Sequence, residues 1–206
     1  MTDFLFDGPA QAAVTVALAH GAGAPMDSDF MRAVAQGLAG HGIRVARFEF
    51  PYMAKSRADG RRRPPDRMPV LMETYLEVCR ALGPERLVVS GKSMGGRVAS
   101  MIADEACIAG LVCLGYPFHP PGKPEKLRTE HLETLKTPAL ILQGERDPFG
   151  SRDEVAAYRL SESVAVEFLP DGDHDFRPRR ASGRSREDNR AEAVERMAAF
   201  ASACRD

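Results

Sequence analysis

Short, unbroken apolar runs alternate with longer amphipathic segments along almost the whole chain, and this rhythm restricts the possible folds. Residues 14–19, 43–50, 87–90, 111–115, 139–143 and 164–169 read as strands. Residues 27–40, 67–82, 93–106, a short stretch near 125–135, 152–159 and 185–204 read as helices. In the first of these, Phe30, Val34 and Leu38 recur at four-residue spacing, which gives a helix one apolar stripe. Strands that are apolar throughout have no face to offer water. They predict a mostly parallel sheet of about six to seven strands, with helices on both faces. No internal repeat or linker divides the sequence, so residues 1–206 read as a single domain, long enough to bury a core without metal or disulfide staples.

The charge balance excludes some classes of partner. Lysine and arginine total 28 against 29 acids, a net charge of −1, which is not the balance of a general nucleic-acid binder. No apolar run approaches the roughly 20 residues that cross a bilayer. The opening residues lack both a basic stretch and a long apolar core, so no signal peptide is expected there. Cys79, Cys107, Cys113 and Cys204 fit no zinc spacing and are expected to be reduced thiols packed as small hydrophobes, as suits a cytoplasmic protein. No metal and no cofactor is implied, and the sequence leaves the oligomeric state open.

Two segments stand apart. Residues 55–67 and 177–190 each carry six basic and two acidic side chains, so two +4 segments leave −9 on the rest of the chain. Each is expected to follow a strand directly and so to overhang the carboxyl edge of the sheet, where open parallel sheets bind ligands.

Ser90-Gly91-Lys92-Ser93-Met94-Gly95-Gly96 joins a predicted strand to a predicted helix. Gly91 and Gly95 flank Ser93 in the pattern Gly-x-Ser-x-Gly. A sharp strand-to-helix turn of this kind lifts the serine hydroxyl clear of the sheet and aims free helix amides at a developing negative charge. A glycine-rich turn that merely contains serine is the plainer alternative. A phosphate-binding loop is a third, but Arg86 stands where its first glycine belongs.

A serine hydroxyl needs a base. His174, in Asp173-His174-Asp175-Phe176, lies just past the last predicted strand, on the edge where Ser93 sits. His119 is the reserve base and a pocket-wall candidate. His41 reads as a surface turn and His131 as solvated. The base in turn needs a carboxylate to hold its tautomer. Asp147, in Glu145-Arg146-Asp147-Pro148-Phe149-Gly150, follows a strand, and the order Ser93, Asp147, His174 fits a nucleophile–acid–base arrangement on such a sheet. Glu145, Asp173 and Asp175 are rivals, and a turn-capping aspartate is the plain alternative for Asp147. The small residues of His20-Gly21-Ala22-Gly23 suit an oxyanion hole built from the amides of Ala22 and Met94, with His20 organising the loop.

These segments, with Phe48-Glu49-Phe50-Pro51-Tyr52-Met53 and Cys113-Leu114-Gly115-Tyr116-Pro117-Phe118-His119-Pro120-Pro121-Gly122, resemble the α/β-hydrolase superfamily. More narrowly, the chain is similar to the dienelactone-hydrolase-like branch that includes testis-expressed protein 30 and subunit 3 of the chromatin-associated NSL complex. The resemblance implies the α/β-hydrolase fold and a Ser93–His174–Asp147 triad. Residues 116–138 leave room for a short helix and no separate lid domain, so the site should be open to water, which suits hydrolysis. Tyr52, Met53, Lys92, Tyr116, Phe118, His119 and Phe149 are the expected pocket lining. The expected activity is cleavage of a small carboxylic ester or thioester through an acyl-enzyme, with an anionic substrate favoured by the two basic segments. A small peptidase or amidase, and a hydrolase-fold scaffold without turnover, are the alternatives.

Overall fold

The computed structural model describes residues 3–204. Residues 1 and 2, where the leader reading began, and residues 205 and 206 of the expected 1–206 domain lie outside the described residues. The chain runs β1 (Phe4–Asp7), β2 (Thr15–Ala19), α1 (Asp29–Gly40), β3 (Arg44–Phe48), α2 (Pro51–Asp59), α3 (Met68–Leu82), β4 (Leu87–Lys92), α4 (Met94–Ala106), β5 (Gly110–Leu114), β6 (Ala139–Gly144), α5 (Arg152–Val155), β7 (Val164–Leu169) and α6 (Arg186–Ala203). Seven strands form one sheet in the order β1-β3-β2-β4-β5-β6-β7. All neighbouring strands are parallel except β1, which pairs antiparallel with β3 from Phe4↔Phe48 to Asp7↔Val45. This is the α/β-hydrolase fold.

The apolar runs are buried on both faces as their composition demands: β4, β5 and β6 have no residue open to solvent. Phe48, Tyr75, Val98 and Ile102 belong to the core on the face that carries α3 and α4. Phe30, Val34, Leu38 and Met197 belong to the core on the face that carries α1 and α6. Chain order turns outward in both directions from the β2–β4 pair, so the loops that follow these two strands meet at a switch point. The register Ala19↔Gly91 brings Gly21 beside Ser93.

Several elements depart from the sequence reading. Strand β1 escapes it because its four residues face water in part: Leu5 and Phe6 are exposed. Helix α2 replaces the loop expected from residue 55, because Pro51 at its first turn preorganises the backbone and Gly60 closes it in the left-handed region (φ 71°). The helix expected near residues 125–135 is one 3-10 turn, Glu130–Glu133, and residues 116–138 hold no lid domain.

Candidate active site

Ser93 stands at the crest of the turn between β4 and α4 with φ 53° and ψ −114°, a backbone conformation outside the wells that L-residues prefer. Its neighbours must lack side chains for reasons of space. A Cβ on Gly91 would stand 2.3 Å from the Gly95 carbonyl carbon, and one on Gly95 would stand 2.5 Å from the His20 carbonyl oxygen. The turn is therefore packed directly against the loop after β2.

Ser93 Oγ lies 2.9 Å from His174 Nε2, and His174 Nδ1 lies 2.8 Å from Asp147 Oδ2. Asp147 is fully buried. It already accepts N–H groups on both oxygens: Phe149 N–H donates to Oδ1 at 2.9 Å, and the Gln143 amide donates to Oδ2 at 3.0 Å. Acting as an acceptor throughout, Asp147 fixes the proton of His174 on Nδ1 and leaves Nε2 free to accept the Ser93 hydroxyl. Phe149 packs on the His174 ring with centroids 4.3 Å apart.

Each rival carboxylate is engaged elsewhere. Asp173 accepts the amides of Asp175 and Arg177. Glu145 holds Arg152 and the Asp171 amide. Asp175 faces Lys92. The other histidines are also committed. His20, fully buried, sits with Nδ1 2.7 Å from the Gly21 carbonyl and accepts the Phe50 amide on Nε2, so it organises the loop, and burial holds its pKa down. His41 caps α1 at the surface beside Glu195. His119 is buried between the Pro120 carbonyl and Glu154, too enclosed to act as a base for Ser93. His131 is a correction: it is half-buried, with Nε2 2.8 Å from Ser100 Oγ, because residues 129–133 wind a turn against α4.

A cavity of about 280 Å³ opens beside Ser93. Gly21, Ala22, Gly23 and Ala24 form one wall, Ser28, Phe30 and Met31 of the α1 start another, and Lys92, Ser93, His174 and Asp175 the floor. Among the described residues neither Ala22 nor Met94 spends its amide on a protein acceptor, and Met94 is the first residue of α4.

Of the seven expected lining residues, Lys92 faces this cavity. Its ammonium is buried, 3.4 Å from Asp175 Oδ1 and 5.6 Å from the Phe30 ring centre, and burial lowers its pKa. The other six serve the site from behind or beside it. Tyr52 donates its hydroxyl to the Ala22 carbonyl at 3.1 Å and so braces the oxyanion loop. Met53 packs on the core, and Tyr116 and Phe118 stack in it with ring centres 4.8 Å apart. His119 is buried with them and Phe149 backs His174. They lie at the right edge, Tyr52 and Met53 on α2 and the others on loops, but their side chains satisfy apolar burial and leave the cavity to the α1 start.

None of Phe30, Met31, Ser28 and Gln143 was expected at the site from sequence. Gln143 ends a buried strand, and a fully buried amide there is the signal: its side chain holds Tyr116, Gly150 and Asp147 together. Four arginines of the two basic segments are paired within the chain. Arg57 pairs with Asp27 and Glu49, Arg63 with Asp59, Arg179 with Asp171, and Arg184 with Glu192. Of the cysteines, Cys79 and Cys113 are buried as expected, and Cys107 is exposed at the end of α4. Among the described residues no helix is long and apolar enough to cross a membrane, and no cluster of metal-ligating side chains occurs.

A family model described as an alpha/beta hydrolase domain matches residues 12–202. Among solved structures, an α/β serine hydrolase homologue from Coxiella burnetii superposes with a TM-score of 0.73 at 20% identity, covering 95% of this chain and 91% of that one. An α/β serine hydrolase without lid from Xanthomonas campestris gives 0.69 at 21% identity, covering 95% and 88%. A dienelactone hydrolase from Anabaena variabilis gives 0.69 at 24% identity, covering 92% and 88%. These three likenesses concern the fold.

Proposed function

The chain belongs to the α/β-hydrolase family, and from that membership and the geometry at Ser93 we propose that it is a serine hydrolase of small carboxylic esters or thioesters. The observation that carries this reading is the unbroken relay Ser93 Oγ–His174 Nε2, His174 Nδ1–Asp147, on a strained turn beside an open cavity. Ser93 attacks the carbonyl carbon while His174 Nε2 takes its proton, a step in which a placed base contributes roughly 10² to 10⁴ in rate. The negative charge that grows on the carbonyl oxygen is met by the amides of Ala22 and Met94, each such donor being worth about 10² to 10³. His174 then protonates the departing alkoxide or thiolate. Water, activated by the same nitrogen, releases the acid and restores Ser93. Asp147 stays a carboxylate and stabilises the imidazolium that forms at each step.

The cavity sets the scale of the substrate. Phe30, Met31, Ala22 and Ala24 offer apolar walls for a short chain or a small ring. With no lid domain over residues 116–138, water has access, which favours hydrolysis over transfer. The segments around Phe50-Pro51-Tyr52-Met53 and Gly115-Tyr116-Pro117-Phe118 support placing the chain in the branch with testis-expressed protein 30 and the NSL complex subunit. Free cysteines support a reducing, cytoplasmic setting.

The test is covalent labelling by a fluorophosphonate probe, mapped by peptide mass, together with hydrolysis of activated esters, thioesters and amides. Labelling at Ser93, lost in Ser93→Ala along with about 10⁴ to 10⁶ of kcat, is the expected result. A folded protein that takes no label and turns over no substrate overturns the reading in favour of a scaffold. Cleavage restricted to amides overturns the ester assignment.

A further inference from the structure

Tyr75 stands in the middle of α3, fully buried, and its hydroxyl reaches the seam between β2 and β4. The Ser90 amide of β4 donates to the phenol oxygen at 3.0 Å. The one phenol proton is shared between the Ala17 carbonyl of β2 at 2.8 Å and the Ser90 carbonyl at 2.6 Å. T-shaped contacts with Phe48 and Phe50, at ring-centre distances of 4.9 and 6.3 Å, hold the ring in place. A buried tyrosine needs one acceptor for its proton, as Tyr116 finds in the Arg128 carbonyl at 2.8 Å. Tyr75 instead bridges two parallel strands with a single oxygen atom.

The bridge lies just below the catalytic edge. Ser90 precedes Ser93 by three residues, about 10 Å of extended chain, and Ala17 precedes Ala22 by five. The register of β2 with β4 pairs Leu18 with Ser90 and ends one residue later, at Ala19↔Gly91. Beyond it the two segments part, one into the loop of Ala22 and the other into the turn of Ser93 and Met94. The two amides of the oxyanion hole therefore come from different strands, and their spacing is inherited from the last rungs of this pair. The phenol oxygen is hydrogen-bonded to both strands at these rungs, so α3 fixes that spacing from outside the sheet. Small errors count at such a site: a misplacement of about 1 Å costs on the order of 10²-fold in rate.

We infer that Tyr75 is a positioning residue of the oxyanion hole: its hydroxyl sets the spacing of β2 and β4, and through it the place of the Ala22 amide relative to Ser93 and Met94. The role rests on the serine-hydrolase reading, since without turnover there is no oxyanion to meet. The hydrogen-bond partners of the hydroxyl are backbone groups of Ala17 and Ser90, none of them in the triad. Tyr75 acts before the reaction, by preorganising two donors that carry their full value only where the carbonyl oxygen becomes charged. Burial raises the phenol pKa well above its usual value, so the bridging proton stays in place across the working pH range.

Phenylalanine fits the same space, so Tyr75→Phe removes the bridging oxygen alone. The experiment compares an activated oxygen ester with its thionoester, which carries C=S in place of C=O, on the wild type, Tyr75→Phe and Ser161→Ala. Sulfur is a weak hydrogen-bond acceptor, so the thionoester draws little from the amides. In Tyr75→Phe, kcat on the oxygen ester is expected to fall by about 10- to 100-fold with KM little changed, while kcat on the thionoester falls by roughly threefold or less. The ratio of the two constants does not depend on the fraction of folded protein. Tyr75→Met, whose flexible side chain repacks, is the second variant should Tyr75→Phe fold poorly. Ser161→Ala loses a hydroxyl bond to the Leu135 carbonyl just before β7, at the opposite edge of the sheet, and is expected to melt lower with the ratio unchanged. An unchanged ratio in Tyr75→Phe, whether kcat is retained or falls equally on both esters, overturns the role of Tyr75 while Ser93 still takes a fluorophosphonate label. The same change of ratio in Ser161→Ala also overturns it, because lost stability alone would then explain the effect. A wild type that takes no label and turns over neither ester overturns the hydrolase reading, and this role with it.

Discussion

Lys92 Nζ stands 3.4 Å from Asp175 Oδ1, and this pair ties the strand that leads into Ser93 to the loop that carries His174. The lysine is 9% exposed at its side chain and the aspartate 56%, so the ammonium bears most of the desolvation. A buried ammonium with one wet partner is a poor source of stability, and burial lowers its pKa accordingly. It sits on the cavity floor, where such a cost is tolerated for the sake of the site.

Replacing Lys92 by Met is therefore expected to leave the melting temperature unchanged or higher. Ester hydrolysis is expected to fall at least tenfold, as the loop holding His174 loses its tether. Calorimetry and an activated-ester assay on the same preparation check this. A variant that melts lower yet retains full activity contradicts it.

Gln143 holds Asp147 from beneath, and its substitution separates positioning from charge. In Gln143→Leu, Asp147 Oδ2 loses one donor, and the Tyr116 amide and Gly150 carbonyl lose their partners, each buried orphan costing about 1–3 kcal/mol. The expected result is a lower melting temperature and a fall in kcat of about 10- to 100-fold with KM little changed. Asp147→Asn removes the charge and favours the wrong imidazole tautomer, so kcat is expected to fall by about 10⁴. Steady-state kinetics at several pH values compares the two. Equal losses from both substitutions would show that Asp147 acts through its position alone.

The six parallel strands, the parallel sheet and the turn that carries Ser93 were legible because each rests on a local signal. Unbroken apolar runs mark buried strands, and Gly91 and Gly95 mark a turn too tight for side chains. The cavity was not legible, because its walls come from α1. In sequence, Phe30 and Met31 are indistinguishable from core residues; only the packing of α1 against the sheet turns part of their surface toward Ser93. Tyr116, Phe118 and His119 misled for the converse reason. A loop rich in aromatic residues at the active edge looks like a pocket wall, yet these side chains fold inward beneath it. Charge runs misled too, since the carboxylates that neutralise Arg57 lie eight residues away at Glu49 and thirty away at Asp27.

Gly95 couples the turn at Ser93 to the oxyanion loop. A Cβ there would meet the His20 carbonyl oxygen at 2.5 Å and the Ala19 carbonyl oxygen at 2.7 Å, both backbone atoms of a buried strand end. Gly95→Ala must push that loop away from Ser93. Overpacking of this kind costs about 1–3 kcal/mol, which lowers the melting temperature by several degrees in a chain of this size. Displacing the Ala22 amide is expected to cost a further 10²-fold in kcat. Thermal melts and kinetics on Gly95→Ala check both effects, and a variant with wild-type kcat would detach the loop after β2 from the chemistry.

His131 makes folding stability depend on pH in a predictable direction. Burial and Arg97 hold its pKa at about 4 in the folded protein, against about 6.5 for a free imidazole. Between those values the unfolded chain binds the proton and the folded protein does not. Stability therefore rises with pH across that window: the contribution is complete above about pH 6.5 and is lost as pH falls toward 4, with a slope of up to about 1.4 kcal/mol per pH unit. His20, also lowered by burial, adds to the same trend. Asp104 acts in a lower window, because its carboxylate accepts the Thr137 hydroxyl and the Thr137 and Lys136 amides, which hold it below its usual range against the effect of burial. Its contribution is lost only as pH falls through the carboxylate range. Denaturant melts of the wild type and His131→Gln from pH 7.5 to 4.5 distinguish the two windows. The variant is expected to show a shallower decline between pH 6.5 and 4.5, and a decline parallel to that of the wild type would place the titrating group elsewhere.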